Sequence, residues 1–351
     1  MHALSNASGE VVLAVDVGGT NTSCAVVASG EGGLAIRFER RYSTKAEPSL
    51  AEPLGRFISE ARAAGAPAPS LLCVSGAGPV VGRTITLTNA PWGIDGDGLE
   101  SRFGLPAYVI NDFSAIAWGI LLLDPEDPAE LVQLASPDGA LAVPDPSGPV
   151  VVIGAGTGLG FGYALRDGPA TRVYPSEGGH ACLPVYDDLT RDFSRWLERS
   201  YGFAAGAEAG VSGQGIANIF AFLTEREAEI PASAKAIRSL RDEERPAAIA
   251  GAAEAGDPLC ERAMDMFVRL YARVAADAAA TFLPSGGVYL AGGIAAKNLG
   301  RFAEGDRFMR SFLLGYREHV RAIAARTPVF VVKDYAISIY GAANAAISLS
   351  R

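Results

Sequence analysis

The chain has 351 residues, with 39 Asp and Glu against 30 Lys and Arg, a formal net charge of −9. Hydrophobic residues make up 49% and charged residues 20%, which argues against disordered and fibrous classes. The acidic balance argues against nonspecific nucleic-acid binding, which draws on basic groups at phosphates, and no apolar run approaches the ~18 residues of a membrane span. At about 150 residues per domain, two domains are expected. The four cysteines, Cys24, Cys73, Cys182 and Cys260, are far apart and form no CxxC pair. A disulfide framework and a structural zinc site are not expected. The first ten residues, MHALSNASGE, lack the basic start and apolar stretch of a signal peptide, so a cytoplasmic location is expected.

The 41 glycines are clustered. Val11 to Val15 reads as a strand, followed by Asp16-Val17-Gly18-Gly19-Thr20-Asn21 and a second apolar run, Cys24 to Ala28. That pattern predicts a β-hairpin. Leu71 to Ser75 predicts a buried strand, Gly76 to Pro79 a turn, and Thr84 to Thr88 another strand. Ala107 to Ile110 predicts a short strand running into Asn111-Asp112, and Phe113 to Leu123 a buried helix. Pro137 to Pro149 reads as a loop. Val150 to Ile153, then Gly154-Ala155-Gly156-Thr157-Gly158-Leu159-Gly160, then Phe161 to Leu165 repeats the strand, glycine turn, strand pattern. Two halves of related architecture are expected. Helices are predicted over 188–199, 215–227, 233–240 and 258–282. A strand over 288–290 ends at Gly292-Gly293, with a helix after it. The last strand is 329–332, before a closing helix from Ile339 on. Strands and helices in two rounds predict an α/β fold with mixed sheets.

A glycine turn brings N–H groups together with no Cβ in the way, so backbone amides can meet phosphate oxygens even in an acidic protein. Asp16 to Asn21 is suited to this, with Thr20 and Asn21 adding donors and Asp16 able to hold magnesium directly or through water. Gly156-Thr157-Gly158 offers the same from the other half. The alternative is two hairpins that use glycine only for its backbone freedom. No Gly-Lys pair exists, so there is no Walker A loop, and Leu159 stands where GxGxxG needs its third glycine.

Asp112, between a strand and a helix, reads either as a helix cap or as a general base. Glu177-Gly178-Gly179-His180 reads as a loop that presents a carboxylate and an imidazole. Glu208 lies just before the turn Ser212 to Gly215. Asn111, Asp112, Glu177, His180 and Glu208 together form a polar set suited to the hydroxyls of a sugar.

In this order, LAVDVGGTN (13–21), LTNAPW (87–92), INDFSA (110–115), GAGTGLG (154–160), SEGGH (176–180), AEAGVSGQG (207–215) and GVYLAGGI (287–294) span nearly the whole chain. The ensemble resembles the bacterial-type glucokinases. The resemblance implies a two-domain actin-like ATPase (ribonuclease H-like) fold, with mixed sheets flanked by helices and an interdomain cleft. It implies a small domain of residues 1–111 plus about 336–351, and a large domain of 112–335. The implied activity is ATP-dependent phosphorylation of the 6-hydroxyl of D-glucose. Phosphate contacts are implied at Asp16, Gly18, Gly19, Thr20, Asn21, Gly156, Thr157 and Gly158, and adenosine contacts at Gly292 and Gly293. Sugar contacts are implied at Asn89, Asn111, Asp112, Glu177, His180 and Glu208, with Asp112 as catalytic base and Asp16 as the Mg²⁺ residue. ATP, Mg²⁺ and glucose are the implied small molecules, and a homodimer is expected, with no nucleic-acid or membrane partner.

The related repressor/open-reading-frame/kinase (ROK) group shares an ExGH motif but follows it with a cysteine-rich zinc cluster, where this chain has only Cys182. A winged-helix extension ahead of Val11 is not expected. Rival readings are a kinase of the same fold for mannose, fructose or N-acetylglucosamine, one using polyphosphate as donor, and a non-catalytic sugar sensor.

Overall fold

A computed structural model of the chain describes residues 9–87, 90, 92–167, 170–333 and 337–351. They fall into two compact units. The first holds the described residues up to Glu130, then Gly162–Pro175, and the described residues from 337 on; the second holds Leu131–Phe161 and Ser176–Lys333.

The first unit opens with β1 (Val11–Val17), β2 (Asn21–Gly30) and β3 (Gly33–Ser43), followed by α1 (Ala51–Ala63) and β4 (Leu71–Gly76). Three two-residue strands, β5 (Val80–Val81), β6 (Thr84–Ile85) and β7 (Ile94–Asp95), lead to α2 (Gly96–Phe103), β8 (Ala107–Asn111) and α3 (Asp112–Ile120). The main sheet has the order β3-β2-β1-β4-β8. β1 pairs antiparallel with β2 and parallel with β4, and β4 pairs parallel with β8. Because β1 is covered on both faces, it is apolar without a break from Val11 to Val15. Leu13, Val15 and Val17 pack with Leu54 and Phe57 of α1. Val12 and Ala14 face the other way, onto Ala115 and Trp118 of α3 and the alanines of the last helix.

The second unit begins with β9 (Leu131–Gln133), β10 (Val150–Ala155) and β11 (Leu159–Asp167), whose strand passes to the first unit at Gly162. After β12 (Ala170–Ser176) come α4 (Asp188–Tyr201), α5 (Gly213–Thr224), α6 (Ala232–Arg238), α7 (Arg245–Glu254) and α8 (Pro258–Phe282). Then follow β13 (Gly287–Ala291), α9 (Gly293–Lys297), α10 (Leu299–Ala303), α11 (Arg307–Phe312), α12 (Glu318–Ala324), β14 (Val329–Val332) and α13 (Ile337–Leu349), the last in the first unit. β10, β13 and β14 are parallel neighbours, with β9 antiparallel at the edge. α8 starts where Asp257 caps the N–H groups of Leu259 and Cys260 and Pro258 opens the first turn. It lies against the sheet, and its buried Tyr271 hydroxyl donates to the Ile153 carbonyl at 2.8 Å.

The predicted strand over 84–88 shrinks to Thr84–Ile85, with Thr88 outside the described residues. The helix predicted from 113 begins one residue earlier and ends at Ile120, where Gly119 lies tight against Ile337.

Candidate functional site

Each unit carries one glycine turn and a set of polar side chains fixed around it. In the first unit the turn joins β1 to β2, and the Gly18 N–H donates to the Asn21 carbonyl at 2.9 Å. Thr44 staples it: its N–H donates to the Thr20 carbonyl at 2.9 Å, and its hydroxyl donates to the Gly18 carbonyl at 2.7 Å. A Cβ at Gly18 would stand 3.2 Å from the Asn21 carbonyl oxygen, so the turn is tight without a left-handed φ there. Gly18, Thr20 and Asn21 are exposed and Gly19 is half-buried.

Asp16 sits beside this turn with both carboxylate oxygens held. Oδ1 accepts from the Ser75 hydroxyl and Oδ2 from the Ser338 hydroxyl, each at 2.8 Å. Loss of solvation raises its pKa, against the effect of these two bonds. Neither serine lies in a recognisable motif. β4 and α13 bring them to Asp16 from positions far apart in sequence.

Asn111 and Asp112 divide the work at the start of α3. The Asn111 side-chain oxygen accepts from the N–H groups of Phe113 at 2.9 Å and Ser114 at 3.3 Å, so Asn111 is the cap. Its amide also donates to the Gly78 carbonyl at 3.2 Å. Asp112 is thereby released from the capping role its position suggested, although Oδ1 still accepts from the Phe113 N–H at 3.0 Å. Burial, and then the neighbouring Asp16 charge, push the Asp112 carboxyl up to about 6, against the hydrogen bonds that favour its ionised form.

In the second unit the turn between β10 and β11 closes with the Gly156 N–H donating to the Gly158 carbonyl at 2.8 Å. The Gly213 N–H, at the start of α5, donates to the Gly156 carbonyl at 2.8 Å. Glu208 reaches the far side of the turn, where Oε2 accepts from the Leu159 N–H at 2.8 Å. Glu177 precedes a short 3-10 turn, Gly178–His180, and its carboxylate lies 3.7 Å from His180 Nε2, with both side chains exposed. A Cβ at Gly179 would overlap the Leu159 carbonyl oxygen, so only glycine lets this segment lie on the start of β11. The Ala207 N–H donates to the Ala181 carbonyl at 2.7 Å, tying the Glu208 segment to the His180 segment. Gly292 has φ +89, and a Cβ there would meet the Ala155 carbonyl oxygen at 2.7 Å, so glycine is required on both counts.

The second unit thus gathers Gly156, Thr157, Gly158, Glu177, His180, Glu208, Gly292 and Gly293 around the ends of β10 and β13. The first unit gathers Asp16, Gly18, Gly19, Thr20, Asn21, Asn111 and Asp112. Asn89 lies outside the described residues. Sequence reasoning missed Thr44, Ser75 and Ser338.

Hard oxygen donors suit magnesium, which keeps several waters and takes one or two carboxylates plus substrate phosphates. Asp16, with Asp112 close enough to feel its charge, fits that pattern. No cluster of three or more His, Cys, Asp or Glu that could hold a metal occurs among the described residues.

Comparison with solved structures bears out the actin-like ATPase fold. The chain superposes on a glucokinase from an Antarctic psychrotroph with a TM-score of 0.80, at 24% identity over 96% of this chain and 99% of that one. An ROK family glucokinase from Streptomyces griseus, solved with glucose and AMPPNP, gives 0.62 at 23% identity over 96% and 99%. In sequence, the chain is 33% identical to the glucokinase of Nostoc punctiforme over 97% of this chain and 99% of that protein. It is 35% identical to that of Synechocystis over 96% and 98%. The glucokinase family model matches residues 13–348. The chain belongs to the glucokinase family. It is a hexose kinase, a phosphotransferase to an alcohol group, with glucose the acceptor for which the family is named.

Proposed function

We propose that this chain transfers the γ-phosphoryl group of ATP to the 6-hydroxyl of D-glucose, with Asp112 as the base. The sugar O6 forms a bond to phosphorus as the bond to the ADP oxygen breaks, and the O6 proton passes to the Asp112 carboxylate. The observation that carries this reading is the state of Asp112: half-buried, relieved of capping by Asn111, and raised to about 6. A carboxylate so placed is a stronger base than an ordinary aspartate near 3.9, yet it is about nine-tenths ionised at pH 7.

Glu177, His180 and Glu208 hold the sugar by hydrogen bonds, and Asn111 and Asn89 are the further sugar contacts of this proposal. Backbone amides near Gly18-Gly19 and near Gly156-Thr157-Gly158, with Thr20 and Asn21, meet the phosphates, while the Gly18 and Gly156 N–H groups close their own turns. Gly292 and Gly293 take the adenosine. Asp16 would hold Mg²⁺ directly or through water, and that ion would neutralise phosphate charge. The lobe boundary at residue 111/112, with 336–351 returning to the first lobe, belongs to the same proposal; packing groups α3 with the first unit. A cytoplasmic homodimer completes it. No helix of the described residues is long and apolar enough to cross a membrane.

Glu177→Gln tests the sugar side. It keeps the shape but loses the charge that strengthens a hydrogen bond to a hydroxyl. The glucose KM is expected to rise roughly tenfold, with the ATP KM within twofold of wild type. A change confined to the ATP KM removes Glu177 from the sugar site.

A further inference from the structure

We propose that Gly158 is a positioning residue for Glu208, so that the β10–β11 turn builds part of the sugar site as well as facing phosphate. The inference rests on the reading of Glu208 as a sugar contact. A Cβ at Gly158 would stand 2.5 Å from Glu208 Oε2 and 3.3 Å from its Cδ. That same oxygen accepts the Leu159 N–H at 2.8 Å. A Cβ at Gly156, two residues away, would meet nothing within 4 Å. Neither glycine has a positive φ, so the demand for glycine at 158 is one of room and not of backbone conformation.

The backbone of Glu208 is fixed as well, because the Ser212 hydroxyl donates to its carbonyl at 2.8 Å. Held through one carboxylate oxygen and its own backbone, Glu208 has little freedom left to lose when a hydroxyl binds. Charge separates the two ends of the turn. A carboxylate resting on Gly158 repels phosphate oxygens and suits a neutral, hydroxyl-bearing ligand. It also occupies the Leu159 N–H, which is then withdrawn from phosphate binding. The open side at Gly156 faces no such carboxylate.

Gly158→Ala meets only the far end of a flexible side chain, so the fold is expected to survive while Glu208 leaves the Leu159 N–H. The test is calorimetric titration of glucose without nucleotide, and of ADP without sugar, on the full-length wild type, Gly158→Ala, Gly156→Ala and Glu208→Gln, with thermal unfolding of each. Gly158→Ala is expected to weaken glucose by roughly 10- to 30-fold, the worth of one charged hydrogen bond, with a distinctly smaller loss for ADP and the unfolding midpoint unchanged. Gly156→Ala is expected to leave glucose within twofold. Glucose affinity within twofold in Gly158→Ala, equal losses for glucose and ADP, loss of the fold, or an equal glucose defect in Gly156→Ala each overturn the proposal. Should Glu208→Gln itself bind glucose normally, the reading of Glu208 as a sugar contact fails; should it lose glucose while Gly158→Ala does not, only the role of Gly158 fails.

Discussion

Asp112→Asn is expected to lower kcat by roughly 10²- to 10⁴-fold, the usual contribution of a general base, with glucose affinity within a fewfold of wild type. Asparagine keeps the size and one oxygen acceptor, so the Phe113 N–H retains its partner. What it loses is the capacity to take the O6 proton. The wild-type kcat is expected to fall about tenfold per pH unit below about 6, where the carboxyl protonates. The residual activity of the variant should lack that limb. Stability should move the other way. A raised carboxyl pKa means that the folded state disfavours the charge. The cost is absent below the unfolded value near 3.9 and complete above about 6. Asp112→Asn should therefore be more stable than wild type at pH 7 by on the order of 1–3 kcal/mol, with the difference gone near pH 4. Near-normal turnover in the variant would remove Asp112 from its role.

Gly341→Ala carries the largest expected effect on stability. α13 crosses α3 so closely that a Cβ at Gly341 would overlap the Ala115 carbonyl oxygen, and one at Gly119 would overlap the Ile337 carbonyl oxygen. Both obstacles are backbone, so no rotamer change relieves them. The helices must part. That strains the bond from the Asn344 amide to the Trp118 carbonyl at 2.9 Å and the alanine-rich contacts beneath β1. A loss of roughly 3 kcal/mol in unfolding free energy is expected, at the upper end for overpacking, measured by urea denaturation. The same crossing sets α3, which begins with Asp112, against α13, which brings Ser338 to Asp16. A change below about 0.5 kcal/mol, the range of an ordinary surface substitution, would contradict the account of this crossing.

Elements buried on both faces were the most legible. Val11–Val15 reads as a strand because neither face meets water, and Pro258–Phe282 reads as a helix because its cap and first-turn proline stand beside a long apolar stripe. β3 was illegible, since this outer strand exposes Arg37, Glu39 and Arg41 and lacks a clean apolar run. α1 carries Pro53 and Gly55, which weaken a helical pattern, although a proline in the first turn costs no hydrogen bond. The site residues came from glycine turns and, above all, from the family resemblance. Ser75, Ser338 and Thr44 could not: each is a lone hydroxyl whose meaning appears only when distant strands and helices set it on Asp16 or Gly18. The division of labour between Gly156 and Gly158 is likewise invisible until Glu208 is placed.

The most direct measurement is steady-state phosphorylation of a hexose panel with ATP and Mg²⁺, with polyphosphate replacing ATP in a parallel series and the product identified by phosphorus NMR. The account expects glucose 6-phosphate, formed from ATP, with kcat/KM highest for glucose among glucose, mannose, fructose and N-acetylglucosamine. Binding of glucose without phosphate transfer, or transfer that favours another hexose or needs polyphosphate, would contradict it.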